Sequence, residues 1–320
     1  MLTAQAPPIP GIELSASSDA VRDRMNAAAR LATLRYAEWL GPPPFDRIAV
    51  HESGAADVAG LMQVESHVAQ ELARAWLARI DGGEVWKDGA AAYLQSRIVE
   101  QLFDQRFFLK AYRHTGACFF GCRVQWSFPS LPLSRWTAVT DPVARVFASL
   151  ERELGWPTLQ GALRAAAAGS SDPVAVMSAA TGRDLRPLFD AAASRAEIDY
   201  SIAGLESTPA STCPAPCYRT DLAIRAAGPV PLPLTVRVTF ADSQHVDTRW
   251  DGSTHDNFLF ESASPAVAAY LDPDHVWLLD RNPLNNARVT PRETNVPIMK
   301  WMARWIVWLQ DAMLTHTFPV

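Results

Sequence analysis

The order of periodicities predicts an α+β fold: helical repeats to about residue 195, then short strands to about residue 290. Two bulk observations agree with it. A chain of 320 residues is long for one ordinary core and suits two domains. Its 48% hydrophobic and 20% charged residues are a globular balance, far from that of a disordered chain. The expected division is a helical unit over 1–195, a small β-sandwich over 196–290 and a C-terminal helix over 291–320.

Taken in order, Ser17 and Ser18 supply a cap for a helix reaching Leu40, with Val21, Met25, Ala28, Leu31, Leu34 and Tyr36 on its apolar side. Gly41-Pro42-Pro43-Pro44 ends it, and Asp46 to Val50 reads as a short strand entering a loop at Gly54. A second helix is expected from Val64 to Ile80, closed by Asp81-Gly82-Gly83, and a third from about Gly89 to Arg106. Asp141 to Gly169 is helical with a break at Gly155-Trp156-Pro157. Asp172-Pro173 opens another helix, and the segment Arg183 to Asp190 opens the last.

The period then becomes two. Ile198–Ile202, Arg219–Ile224, Leu234–Phe240, Phe258–Phe260 and Val276–Leu279 read as strands between proline, glycine and Asp/Asn turns, the spacing of a sandwich. The tail from Lys300 to Phe318 carries Trp301, Trp305 and Trp308 at helical spacing. It suits an amphipathic helix that packs on the protein, or one that lies in a membrane surface or docks on a partner.

Net charge is −5 with no long run of either sign, which argues against nucleic acid as a partner. Met1 to Gly11 lacks the basic and apolar segments of a signal peptide, and no window reaches the ~18–20 apolar residues of a membrane span. A soluble or surface-attached chain is expected, or a piece of a longer protein. The cysteines form two C-x3-C pairs, Cys118/Cys122 and Cys213/Cys217, a weak zinc spacing. Cys213-Pro-Ala-Pro-Cys217 permits a local disulfide; free thiols and a metal site remain alternatives, and a disulfide would imply an oxidising compartment.

Three short patterns lie between Gly54 and Tyr93: Gly54-Ala55-Ala56-Asp57-Val58-Ala59-Gly60-Leu61, Gln70-Glu71-Leu72-Ala73-Arg74-Ala75-Trp76-Leu77, and Trp86-Lys87-Asp88-Gly89-Ala90-Ala91-Ala92-Tyr93. With the Gly-Pro-Pro-Pro-Phe-Asp turn before them and Gly182-Arg183-Asp184-Leu185 after them, their order resembles the zinc aminopeptidases of the membrane alanyl aminopeptidase type. That is the gluzincin family that includes leukotriene hydrolase. The likeness covers roughly residues 25–290 and lacks the family's N-terminal β-domain. It implies a thermolysin-like helical domain followed by a small immunoglobulin-like sandwich.

The resemblance also implies a zinc site, held by two histidines one helical turn apart and a glutamate from the next helix, with a glutamate beside the first histidine as general base. In this chain the histidine positions hold Gln70 and Arg74, and the glutamate ligand corresponds to Asp88. Only Glu71, at the general-base position, is kept. The loop that would capture the substrate's α-amine keeps Gly54 and Ala55 but has Asp57 for glutamate and Val58 for asparagine. The tyrosine that would stabilise the tetrahedral intermediate should sit near Thr140, yet no tyrosine occurs between Tyr112 and Tyr200.

The expectation is therefore a non-catalytic relative without zinc or other cofactor, either an ion pair with Arg74 or a solvated role for Glu71, and a protein partner. A membrane surface could also be reached through the tryptophan tail, in an extracytoplasmic or membrane-associated setting. Two alternatives stand beside it. One is a hydrolase with a rearranged site around Glu71, either metal-free or with His67 and Glu71 as metal ligands and Glu65 and Asp88 as further oxygens. The other is a structural module of a larger membrane complex.

Overall fold

In the computed structural model of the protein the described residues are 11–52, 63–81, 83–102, 141–211 and 216–290. The loop bearing Gly54, Ala55 and Asp57, the position near Thr140, Cys118, Cys122, Cys213 and the tail with Trp301, Trp305 and Trp308 lie outside them. The fold mixes helix and sheet, consistent with the α+β class.

A short parallel pair opens it: β1 (Ile12–Ser15) lies beside β2 (Ile48–His51), with Ile12 opposite Ile48. Between them runs α1 (Asp19–Leu40), started by the Ser18 hydroxyl, which accepts from Val21 N at 3.3 Å. Gly41, at φ 102°, ends it. Met25, Ala28, Ala29, Ala32 and Tyr36 form its buried stripe. Leu34, expected on that stripe, is 63% exposed instead. At 100° per residue it lies about 200° around the helix from Ala32, on the far side.

Next come α2 (Gln63–Trp76) and α3 (Glu84–Leu102). The third helix begins before the expected start, because Gly89 is interior to it rather than its first residue. A Cβ on Gly89 would come within 2.4 Å of Val143 Cγ1. The glycine thus marks a close helix crossing. The partner there is α4 (Pro142–Leu154), whose Asp141 cap accepts from Ala144 N at 2.9 Å. Gly155, at φ 82°, turns the chain into α5 (Trp156–Ala167). Asp172 caps α6 (Pro173–Thr181), and α7 (Arg186–Ala193) follows the left-handed Gly182. Phe147 of α4 is fully buried and centres this core, with Trp86, Tyr93 and Phe189 at ring-centroid distances of 5.3, 5.7 and 5.2 Å.

The strands after α7 form two antiparallel sheets. One has the order β3-β4-β7, from β3 (Asp199–Pro209), β4 (Tyr218–Ala227) and β7 (His255–Ser262). The other runs β6-β5-β8-β9, from β5 (Leu234–Phe240), β6 (His245–Trp250), β8 (Ala266–Leu271) and β9 (Ala287–Val289). Alternate residues such as Leu234, Val236, Val238 and Phe240 are buried, and Tyr200 of one sheet meets Trp250 of the other edge-on at 5.8 Å.

Val276–Leu279 is not a strand. The N–H groups of Val276 and Trp277 go to the Asp272 carboxylate, at 2.9 and 2.8 Å, rather than to a neighbouring strand. The run is apolar because Trp277 is buried between the helices and the sheets, its Nε1 donating to Pro233 O at 2.8 Å and its ring beside Arg183. The same segment ties the sheets to the helices: Leu278 N donates to Ser149 Oγ of α4 at 2.9 Å, and Arg152 of α4 donates to the His275 carbonyl. No described helix is long and apolar enough to cross a membrane.

Candidate functional site

The pattern of α2 decides which of its side chains face outward. Val68, Ala69, Leu72, Ala73 and Trp76 are buried, leaving His67, Gln70, Glu71 and Arg74 on the other side. Four hydrogen bonds hold that orientation. Tyr36 OH donates to Ala69 O at 3.0 Å, Trp76 Nε1 donates to Gly41 O at 3.0 Å, and Arg24 forks onto both oxygens of Glu65 at 2.7 Å each.

The neighbouring α3 carries Asp88 to the same place. Arg74 Nη1 donates to Glu71 Oε1 at 2.6 Å and its Nε donates to Asp88 Oδ1 at 3.1 Å. One guanidinium therefore bridges a carboxylate on its own helix and one on the next. Partial burial works against its charge, but the bonds to Glu71 and Asp88 outweigh this and raise its pKa above the ordinary arginine value. The Arg74 side chain keeps 43% of its surface exposed and Asp88 keeps 58%, so water screens the pair.

Those residues do not fit a zinc ion. Arginine has no lone pair to donate and brings a permanent positive charge. It already engages the two carboxylates that a metal would need. The alternative ligand His67 has its Nε2 3.0 Å from the His51 carbonyl of β2, and Glu65 is held by Arg24. Among the described residues no group of three His, Cys, Asp or Glu is placed to hold a metal ion. Glu71, Arg74 and Asp88 are thus brought together, while His67 and Glu65 are committed elsewhere. What the cluster can do chemically is bind helix to helix and present a mixed-charge surface to a partner.

Two further polar groups escaped sequence reasoning. Between α3 and α4, Tyr93 OH donates to Glu151 Oε2 at 2.6 Å and Arg97 pairs with the other Glu151 oxygen. The Arg97 guanidinium lies 3.7 Å from the Trp156 ring centroid and 5.3 Å from that of Trp39. Burial, with the nearby Glu151 charge, pushes the Tyr93 hydroxyl well above its ordinary pKa. The second group surrounds Asp272 and Asp280, both buried carboxyls where the helices meet the sheets. Its only sequence signal is the Asp/Asn-rich turn chemistry of 272–286. Cys217 is buried and disulfide-bonded.

No protein-family model matches the chain, and no curated protein matches it.

Proposed function

We propose that this chain is a non-catalytic relative of the gluzincin zinc aminopeptidases, with a thermolysin-like helical unit and an immunoglobulin-like sandwich, acting as a protein-binding or scaffold module. The observation that carries the reading is the Arg74 guanidinium lying between Glu71 and Asp88, at 2.6 and 3.1 Å. The motif order supports the relationship. A fixed organic cation at a position where that family needs a histidine supports the loss of chemistry. Without a bound metal Glu71 has no polarised water to deprotonate, and its carboxylate serves the arginine instead.

Elemental analysis of the purified protein together with an aminoacyl-fluorophore assay tests the reading. No stoichiometric zinc and no turnover above the Glu71→Gln variant are expected. Zinc at one per chain, with turnover abolished by a chelator and by Glu71→Gln, would sink it. We further propose that the Trp301, Trp305 and Trp308 segment mediates attachment to a membrane surface or a partner. Liposome co-sedimentation with and without residues 298–320 checks the membrane arm, and equal partitioning removes it.

A further inference from the structure

We propose that the open edge of β7 is a self-association surface, on which β7 of a second copy of this chain pairs antiparallel and joins the two β3-β4-β7 sheets into one. Along β7 the backbone groups of alternate residues face β4, and those of the residues between face away. Two bonds fix which are which. Ala226 N donates to Thr254 O at 3.0 Å, so 226 and 254 continue the β4–β7 register as a directly bonded pair. Such pairs recur every second residue, so Asp256, Phe258, Phe260 and Ser262 direct their N–H and C=O groups to β4. On the other side of β4, Ala210 N donates to Cys217 O at 2.9 Å, and the odd-numbered residues of β4 thereby face β3, leaving its even-numbered ones for β7. The two bonds agree. His255, Asn257, Leu259 and Glu261 direct their backbone groups to the side of β7 on which no described strand lies. There Asn257 N–H donates to the neighbouring Asp256 carboxylate at 2.8 Å.

The other three edges of the two antiparallel sheets carry devices that deter pairing. β3 has a bulge between Ile202 and Gly204, and there Ile202 N donates to Asn285 O while the Ala203 carbonyl accepts from Arg288. β9 is only three residues long, and β6 places Asp247 and Arg249 in and beside its middle. β7 runs for eight residues with no register shift, no proline and no lysine. Its acidic residues, Asp256 and Glu261, lie one in from each end and leave Phe258-Leu259-Phe260 at the centre. Leu259 is 59% exposed, and the half-buried rings of Phe258 and Phe260 stack at 6.3 Å on the other face.

The pattern of the strand selects a second copy as the occupant. A two-fold axis at Leu259 sets Leu259 against Leu259, Phe258 against Phe260 and Asn257 against Glu261 of the second copy, each pair on one face. Leu259 and the Asn257/Glu261 pairs have their backbone groups on the open side, which gives about six N–H···O bonds between the copies. Asn257 N–H exchanges the Asp256 carboxylate for the Glu261 carbonyl of the second copy. The polar groups match in this sense of the strand. Antiparallel pairing sets Glu261 opposite an amide and diagonal to His255, whereas parallel pairing in register would stack Glu261 on Glu261 and Asp256 on Asp256. A single strand edge buries little surface, so the dimer is weak and concentration-dependent. Loss or retention of catalysis in the helical unit has no bearing on it.

The test is sedimentation equilibrium of the full chain from about 5 to 500 µM. A monomer–dimer equilibrium is expected. Leu259→Lys should raise its dissociation constant at least about tenfold, because two ammonium groups meet at the two-fold axis. The substituted side chain is exposed and its backbone groups face away from β4, so the urea midpoint should stay near that of wild type. A wild type that remains monomeric throughout overturns the proposal, as does a dimer that Leu259→Lys leaves unchanged. If Leu259→Lys does not fold, hydrogen exchange of wild type at the two ends of the concentration range decides. The amides of Asn257, Leu259 and Glu261 should gain protection at the higher concentration, and those of Phe258 and Phe260, already bonded to β4, should gain less. A dimer in which the three open-edge amides exchange as they do in the monomer overturns the β7 surface.

Discussion

Two arginine clusters that share the helix α3 use the same chemistry to opposite effect. Near its N-terminal end Asp88 meets Arg74 of α2 in water; about two and a half turns on, Arg97 meets Tyr93 and Glu151 of α4 in the core. The Arg97 and Glu151 side chains are only 14% and 10% exposed, against 43% and 58% for Arg74 and Asp88. Burial, not geometry, separates them. In the first cluster each ion trades hydration for a partner at little gain; in the second, losing one partner strands a desolvated charge.

The comparison breaks most sharply at Glu151. Glu151→Ala should cost about 3–5 kcal/mol, because Arg97 and the Tyr93 hydroxyl lose their shared acceptor. Denaturant unfolding measures this, and a loss below about 1 kcal/mol would remove the distinction between the clusters. Gly89→Ala should come next, at about 1–3 kcal/mol, since its methyl meets Val143. Helix propensity alone would make that change stabilising, so the sign itself is diagnostic. The smallest effect is expected at Arg74. A double-mutant cycle on Arg74→Met and Asp88→Asn should give a coupling of about 0.2–1 kcal/mol that shrinks further in 1 M salt. A coupling above about 2 kcal/mol would mean the cluster is less solvated than its exposure indicates.

What could be read ahead of the structure was whatever a local rule governs. The Ser18 and Asp172 caps, the Gly155 break and the alternation of β5 are decided within a few residues, and all four stand as expected. The Glu71–Arg74 pair belongs with them, being one turn apart on one helix. Gly89 misled because a glycine at a crossing looks like a glycine at an end. The Val276–Leu279 run misled because burial of Trp277 imitates a strand's composition. In the other direction, β8 was missed because Ala266–Leu271 is rich in alanine, a residue with little strand preference. The Arg97–Glu151 pair was out of reach: its members are 54 residues apart and each sits in an ordinary helix. Asp88 beside Arg74 follows from no spacing rule; only the family resemblance put the two at one site, and the packing of α2 on α3 is what brings them within 3.1 Å.

The clearance at Gly89 has a consequence for the residue before it. Because the α3 backbone is seated directly on Val143 of α4, sliding or rolling α3 towards α2 would have to unseat that contact. Asp88 is accordingly a fixed address on which the occupant can change but the location cannot. Reach at this address is set by side-chain length alone. A design that builds a metal centre here has to lengthen Asp88 and replace Arg74, and the helix beneath would give it no help.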